Sequence, residues 1–247
     1  MTCYDDIITE FERFKETSTM THAERPLVRD LLGDLSGLEA LDLACGYGYY
    51  TRMLADLDAA RVVGVDLSEG MLQRAKEYEA RVPQGIEYVQ GDVMKLPATL
   101  GSFDVACAVY LFNYAESREQ LQAMIDGISA RLRPGGRLVA MTHAMAFEPD
   151  GPAWDAYGLH VRDFEAVPGG GRRLLLTALS ETPCDLVCYQ WPQDVYEAAL
   201  DQAGFTGPSW TPTPVPADLN DAYEDGYWDA FRANTLTIGL TARKALR

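Results

Sequence analysis

The sequence predicts an α/β protein built on a seven-stranded, mostly parallel, Rossmann-like sheet. Short apolar runs alternate with helical patterns from about Leu38 onward, which is typical of strand-helix-strand units. The chain has 247 residues, of which 47% are hydrophobic, so it can bury one large core. We therefore expect a single domain over residues 1–247, with helices on both faces of the sheet.

The predicted strands and helices can be assigned in order, because each apolar run ends at residues that favour a turn. Ser68 and Ser117 are suited to cap the helices that follow them, and Pro134 with two glycines ends the second of these helices. The run 103–110 is nearly continuous in apolar residues, which indicates a strand buried on both faces. The predicted strands end at Leu43 or cover 61–66, 86–89, 103–110, 137–142, 209–211 and 236–242; the predicted helices cover 49–57, 69–81, 117–132 and 193–202.

Two regions lie outside this alternation and are expected to cover the ligand. Residues 1–36 are predicted to form a cap of two amphipathic helices, with Ile7, Ile8, Phe11 and Phe14 on the first apolar face. Residues 143–190 form an insertion after the fifth strand, with a hairpin predicted over 174–179 and 186–191. Ligands of such sheets bind beyond the carboxyl ends of the strands, where both covers are expected to lie. The alternative is a surface elaboration without substrate contact.

Composition narrows the classes of partner. The net charge of −16 and the absence of a Lys/Arg run exclude a typical nucleic-acid substrate. Five scattered cysteines do not make a disulfide framework, and no His or Cys pair completes a zinc site, so no metal is expected. No stretch has the length of a membrane span, and the amino terminus does not resemble a signal peptide. We therefore expect a cytoplasmic protein that acts on a small molecule, of unknown oligomeric state.

A turn with two glycines and a carboxylate predict a nucleoside site. Gly46 and Gly48 allow a tight turn after the first strand, because they lack the Cβ that disfavours positive φ. Asp66 ends the second strand about 20 residues later, where an acid can accept hydrogen bonds from both ribose hydroxyls. A dinucleotide fingerprint needs Gly or Ala three residues after Gly48, and Thr51 stands there. The pattern therefore favours S-adenosylmethionine, which has no diphosphate.

Four motifs in order resemble the class I S-adenosylmethionine-dependent methyltransferases. They are DLACGxG at 42–48, GVDLSxxML at 64–72, GDV at 91–93 and LRPGG at 132–136. The resemblance implies the Rossmann-like sheet with an antiparallel last strand. Ala44 departs from the commoner glycine and is expected only to narrow the turn slightly. Further segments at 111–115, 157–158, 189–191 and 226–229 resemble the N-methyltransferase group of the toxoflavin pathway and its relatives.

The resemblance assigns the cofactor site residue by residue. The methionine end would contact Asp42 and the backbone of Ala44 and Gly46, while Asp66 would bind the ribose. Asp66 and Asp92 have turn-forming alternatives, and Met71 has an alternative as a core residue. The complete set of expected cofactor contacts is Tyr4, Asp42, Ala44, Gly46, Asp66, Leu67, Met71, Asp92, Val93, Tyr110 and Leu111.

Candidates for the acceptor side follow the fourth and fifth strands or lie in the cover. Asn113 could orient a polar acceptor or cap the next helix, and His143 could take a proton or be a structural histidine. Trp154, Tyr157 and Trp191 could stack on a flat acceptor or belong to the core. We assign catalytic roles to Asn113, His143 and Tyr157, and substrate contacts to Asn113, Trp154, Tyr157 and Trp191.

These features favour methylation of a small metabolite, and the narrower resemblance implies a heteroaromatic nitrogen in specialised metabolism. Oxygen or carbon acceptors remain possible. One alternative uses the same pocket without an acceptor, closing the cofactor to azetidine-2-carboxylate and methylthioadenosine. Another is a non-catalytic nucleoside-binding module, and a nicotinamide oxidoreductase is disfavoured by Thr51.

Overall fold

A computed structural model describes residues 8–246 of the protein. Its elements alternate between strand and helix over most of this length. The helices are α1 (Ile8–Thr17), α2 (Thr19–Leu32), α3 (Tyr49–Asp56), α4 (Glu69–Arg81), α5 (Arg118–Arg131), α6 (Gln193–Gln202), α7 (Ala217–Asp221) and α8 (Asp229–Ala233). The strands are β1 (Glu39–Leu43), β2 (Arg61–Asp66), β3 (Glu87–Gln90), β4 (Phe103–Val109), β5 (Leu132–His143), β6 (Leu159–Val167), β7 (Gly171–Ala178), β8 (Cys184–Gln190), β9 (Phe205–Pro212) and β10 (Thr237–Lys244).

The central layer is a seven-stranded sheet in the order β3-β2-β1-β4-β5-β10-β9. Strand β1 pairs in parallel with β2 and β4, whereas β10 is antiparallel to both of its neighbours. This arrangement confirms the predicted fold class. The order reverses between β1 and β4, and the crevice beyond the carboxyl ends of such strands is where ligands of open α/β sheets bind.

Two apolar layers cover the two faces of this sheet. Alternate side chains of β4 divide between them: Ala106 and Ala108 pack with α5 and α6, while Val105 and Cys107 pack with α2 and α3. Burial on both sides explains why the strands read as continuous apolar runs. None of the helices within residues 8–246 combines the length and apolar character that a bilayer crossing requires.

Helices α1 and α2 form the described part of the amino-terminal cap. Ser18 lies between them, and its hydroxyl accepts a hydrogen bond from the Thr21 N–H at 3.3 Å, which caps α2. Phe11 and Phe14 of α1 pack on the aromatic core beneath the second sheet, as the apolar pattern predicts. Ile7 lies outside the described residues.

The insertion folds as a three-stranded antiparallel sheet in the order β6-β7-β8 rather than as a hairpin. Strands β7 and β8 correspond to the predicted hairpin, and β6 is the strand that the sequence did not reveal. Most of β6 is exposed at the edge of this sheet, so its sequence lacks the apolar alternation of a half-buried strand. Strand β9 is also longer than predicted, because its polar residues pair with β10 at another edge.

Candidate active site

The Asp66 carboxylate joins the tips of β1 and β2. Its Oδ2 accepts a hydrogen bond from the Gly46 N–H and its Oδ1 accepts one from the Ser68 N–H, each at 2.8 Å. Two backbone donors therefore hold the carboxylate at the wall of a cavity. An ionised carboxylate is an acceptor with about four lone-pair sites, which suits a group that binds neighbouring hydroxyls.

The turn after β1 has a left-handed backbone at three positions. Gly46 and Gly48 have φ values of 53° and 84°, and a Cβ at position 48 would collide with the Tyr88 hydroxyl. Ala44 has a φ of 56° although it carries a Cβ, which costs on the order of 1 to 2 kcal/mol. Ala44 stands where the family pattern more often has glycine. Its main effect is thus a conformational cost, and not the slight narrowing of the turn that we predicted.

Asp42 lies behind this turn. Its Oδ2 accepts a hydrogen bond from the Thr51 hydroxyl at 2.6 Å, and its side chain is not among the described residues that form the cavity wall. Burial, helped by the charge of Asp66, raises the pKa of Asp42 to about 7. Asp42 supports the turn through Thr51, and its expected contact with the methionine end of the ligand stays a prediction. The hydrogen bond also gives Thr51 a role that the fingerprint argument did not anticipate.

A cavity of about 490 Å³ extends from this turn along the carboxyl ends of β1, β2 and β4. Leu67 is 57% exposed at its rim, while Met71 and Val93 are buried in its wall. Asp92 also lines the cavity, and its Oδ1 accepts a hydrogen bond from the Met94 N–H at 2.9 Å. Asp92 therefore fixes a turn, as its alternative role required, and still faces the predicted adenine position.

Tyr110 follows β4 in a left-handed conformation, with a φ of 65°. This is an unusual backbone for a bulky residue, and it places the Tyr110 side chain in the cavity wall beside Leu111. The Tyr110 hydroxyl donates a hydrogen bond to Glu24 of α2. Lys15 of α1 lies 3.8 Å from the other carboxylate oxygen of Glu24, and its ammonium stands 5.0 Å from the centre of the Tyr110 ring.

Helix α1 is fixed over the mouth of the cavity from the opposite side. The Glu12 carboxylate accepts hydrogen bonds from Arg74 of α4, at 2.9 Å from Nε and 3.1 Å from Nη2, and from the Tyr78 hydroxyl. Strand β8 completes the cover with Leu186 and Val187 in the wall. The cavity is thus bounded by the main sheet, by α1 and by the insertion, as the prediction of two covers requires.

A smaller cavity of about 40 Å³, here called the inner chamber, adjoins the main cavity. Its wall includes two catalytic candidates, Asn113 after β4 and His143 at the end of β5, and both are buried. Burial lowers the pKa of His143 to about 3, so the imidazole is neutral at pH 7. A base of such low pKa is poorly matched to neutral pH, which counts against the predicted role of His143 as a proton acceptor.

Tyr157 and Trp154 belong to an aromatic core between α1, α8 and the second sheet. The Tyr157 hydroxyl donates to the Tyr227 carbonyl at 2.6 Å and accepts from the Phe231 N–H at 3.0 Å. The Trp154 indole N–H donates to the Asn234 carbonyl at 2.8 Å, and both rings are 1% exposed. The rings and polar atoms of both residues are engaged in packing, which counts against their expected roles in catalysis and acceptor stacking, and those roles stay predictions.

Trp191 is likewise a core residue. Its indole N–H donates to the Ala115 carbonyl at 2.8 Å, and its ring packs with the helices α5 and α6. It lies outside the walls of both cavities as far as the described residues define them. This packing counts against the expected contact of Trp191 with substrate, which stays a prediction, and the predicted cofactor contact of Tyr4 lies outside the described residues.

Lys15 and Glu24 are the site residues that sequence reasoning missed. Both are buried, and Lys15 lines both cavities. A signal was present, because Lys15 follows Phe11 by four residues and so shares its apolar helix face. Across residues 8–246, no group of three or more His, Cys, Asp and Glu side chains is arranged to hold a metal ion.

The comparisons with known proteins agree with this geometry. The family model of a methyltransferase domain matches residues 40–136. A demethylmenaquinone methyltransferase of Beutenbergia cavernae is 30% identical over 215 residues, covering 83% of this chain and 81% of the relative. Another, from Lactococcus lactis, is 37% identical over 113 residues, and the match spans 44% of each chain. A solved S-adenosylmethionine-dependent methyltransferase from Mesorhizobium loti has a TM-score of 0.64 at 24% identity, covering 90% of this chain and 98% of that one, which is a likeness of fold.

Fold and site thus define a nucleoside-binding α/β protein with its pocket at the switch point of the sheet. The chain belongs to the class I S-adenosylmethionine-dependent methyltransferases, and S-adenosylmethionine is its cofactor. The residues present fit that cofactor, because Asp66 would accept hydrogen bonds from a ribose diol, and Leu67 and Met71 would offer apolar walls to an adenine. When bound, this cofactor supplies a methyl group on a positively charged sulfur.

Proposed function

We propose that the protein transfers a methyl group to a small, planar acceptor, and that the methylated atom is a nitrogen of a heteroaromatic ring. The covered cavity is the observation that supports a small molecule as the acceptor. Phe11 and Lys15 of α1 and Leu186 and Val187 of β8 enclose the side opposite the ribose site. A cavity that is closed on that side by α1 and β8 suits a small metabolite rather than a macromolecule.

The choice of nitrogen rests on the narrower resemblance to the toxoflavin-pathway group and is an analogy. The relatives from Beutenbergia cavernae and Lactococcus lactis are demethylmenaquinone methyltransferases by name. A quinone and a heteroaromatic ring share a flat shape and ring oxygens or nitrogens that can accept hydrogen bonds. The aromatic walls at Tyr110, Tyr114 and Tyr189 suit either class of ring.

The work expected of the protein is mainly alignment. Methyl transfer from an activated donor needs the acceptor atom in line with the methyl group at about 3 to 3.5 Å, with water excluded. Asp66 would fix the sugar, and the Tyr110–Leu111 turn would separate cofactor from acceptor. The Glu12–Arg74 ion pair would hold α1 closed over both. Rings of Tyr47, Tyr49 and Tyr50 also line the cavity, where aromatic faces can steady a cation.

The test is to incubate the purified protein with S-adenosylmethionine and a panel of heteroaromatic amines, lactams and quinones, followed by mass spectrometry. We expect S-adenosylhomocysteine in equal amount to an N-methylated product. Methylation of oxygen or carbon only would contradict the choice of nitrogen. Methylthioadenosine formed without an acceptor would instead indicate cofactor cyclisation, which no observation on the site favours. Absence of turnover with every acceptor would point to a nucleoside-binding module.

A further inference from the structure

Three residues in the wall of the inner chamber each carry a buried polar atom without a hydrogen-bond partner among residues 8–246. These atoms are Lys15 Nζ, Asn113 Nδ2 and His143 Nδ1. Their residues are 4%, 1% and 4% exposed, so bulk water does not reach them freely. Buried polar groups are normally paired, and a set of three that faces one cavity indicates a ligand group that pairs with them.

The chemistry of the three atoms selects the kind of ligand group. An ammonium and an amide NH₂ are donors only, and a neutral imidazole nitrogen is a donor or an acceptor according to its tautomer. The orientation of Asn113 is set by its Oδ1, which accepts a hydrogen bond from the Thr142 hydroxyl at 2.8 Å. The donor end of Asn113 is therefore turned toward the chamber, and the chamber is suited to an oxygen that accepts hydrogen bonds.

Lys15 retains the capacity to bind such an oxygen. Its distance of 3.8 Å from the Glu24 carboxylate is within an ion pair and beyond a hydrogen bond, so its N–H groups are not used by Glu24. Tyr110 donates to the other oxygen of Glu24 and so satisfies part of that carboxylate. Burial lowers the pKa of Lys15 and raises that of Glu24, and the attraction between the two opposes both shifts.

The position of the chamber connects it with the acceptor. Phe11, Lys15, Tyr110, Tyr114 and Leu186 line both cavities, so the chamber opens from the acceptor side of the main cavity. A volume of about 40 Å³ is too small for a ring and has room for an oxygen atom or a few waters. A ring in the main cavity, against Tyr110 and Tyr114, could direct one substituent into it.

We infer that Lys15, Asn113 and His143 form an oxygen-binding subsite, and that the acceptor is a planar ring carrying a carbonyl or enolate oxygen. This inference rests on the proposed function and narrows its acceptor class. The oxygen accepts hydrogen bonds from Lys15 and Asn113 and displaces any water from the chamber. Lys15 acts here as a binding residue, and the selectivity is for lactams and ring ketones over rings of the same size without oxygen.

The test uses 4-pyridone and benzene as probes, titrated by ligand-observed NMR into the protein saturated with S-adenosylhomocysteine. The two rings have the same size, and only 4-pyridone carries an oxygen that the subsite is expected to bind. One hydrogen bond to a charged donor corresponds to roughly a ten- to hundredfold preference, so 4-pyridone should bind more tightly by that factor. Equal affinities, or no binding of 4-pyridone at millimolar concentration, would overturn the inference.

The double variant Lys15→Met/Glu24→Gln removes both charges and so leaves no lone buried carboxylate. It should reduce the preference for 4-pyridone to less than about threefold, measured at a concentration of S-adenosylhomocysteine that saturates the variant. Lys76→Met is the matched control, because it removes an exposed ammonium from α4 and should preserve the preference. A preference that survives in the double variant would contradict the role of Lys15.

A further measurement needs no variant of the site. The side-chain amide resonance of Asn113 in ¹⁵N-labelled protein should shift with 4-pyridone and not with benzene, and an unchanged resonance would contradict the subsite. Different results would contradict the proposed function and the oxygen-binding subsite. Loss of S-adenosylhomocysteine binding in the wild type would contradict the function, whereas tight binding of that product with no oxygen preference would contradict the subsite alone.

Discussion

Replacement of Asp66 is the most informative perturbation of the cofactor site. The carboxylate accepts one hydrogen bond from the Gly46 N–H and one from the Ser68 N–H, and Asp66 lines the cavity. Asp66→Ala removes the acceptors for both ribose hydroxyls. We expect a loss of about 1 to 3 kcal/mol in binding, equivalent to a roughly five- to 150-fold rise in the Kd for S-adenosylhomocysteine. Isothermal titration calorimetry measures this change directly.

The same substitution also affects the empty protein. The N–H groups of Gly46 and Ser68 lose their partner, although water in the cavity can replace it, so we expect a stability loss of at most about 2 kcal/mol. Ser117→Ala serves as the control for stability alone. The Ser117 hydroxyl accepts from the Gln120 N–H at 3.2 Å and caps α5, and its loss costs about 1 kcal/mol.

The comparison of these two variants separates the two effects. Ser117→Ala should lower the midpoint of urea unfolding and leave the affinity for S-adenosylhomocysteine unchanged. Asp66→Ala should lower both. An unchanged affinity in Asp66→Ala, measured under conditions where the variant is folded, would refute the assignment of Asp66 to the ribose.

Four other residues give independent predictions. Ala44→Gly should stabilise the protein by up to about 1 kcal/mol in urea unfolding, because relief at a φ of 56° exceeds the added chain entropy, and a destabilised variant would contradict this. Tyr157→Phe should lower stability by about 1 to 3 kcal/mol with unchanged turnover and KM, whereas altered acceptor kinetics would restore a role in the site. His143 should stay neutral by NMR down to about pH 4, since burial lowers its pKa to about 3; a midpoint near 6.5 would contradict its burial. Asp42 has a folded-state pKa of about 7 against 3.8 when unfolded, so its contribution to stability falls as pH rises from 4 to 7, by up to about 4 kcal/mol. Asp42→Asn should flatten that fall in unfolding experiments, and an unchanged slope would contradict the raised pKa.

The cofactor half of the site could be predicted because its residues are local to four short motifs. Gly46 and Asp66 lie at the ends of adjacent strands, and β1 and β2 read clearly as apolar runs. The positions of Leu67, Met71, Asp92 and Val93 in the cavity wall follow from the same strand ends. Their contacts with the cofactor stay predictions, as does the contact of Tyr4.

The acceptor half depends on contacts between distant parts of the chain. Lys15 on α1 meets Leu186 on β8 only after the insertion has folded over the sheet. Periodicity indicates that a helix has an apolar face, and it does not reveal which element that face covers. For this reason the sequence favours contacts of the insertion's aromatic residues with the acceptor, whereas in the structure Tyr157 stacks on Trp228.

Strand β6 shows the same limit in the fold itself. It forms an edge with most side chains exposed, so neither alternation nor an apolar run marks it. Pairing with β7 supplies its stability. The cytoplasmic location and the absence of a metal are expectations from composition, and they stay predictions.

A crystal structure of the protein with S-adenosylhomocysteine would show directly whether Asp66 binds the ribose of the cofactor. We predict that both ribose hydroxyls lie within hydrogen-bond distance of the Asp66 carboxylate, with the adenine between Leu67 and Met71 and the sulfur beside Tyr110. A product molecule seated away from residues 44–48 and 66, or the absence of any bound product at saturating concentration, would contradict the account.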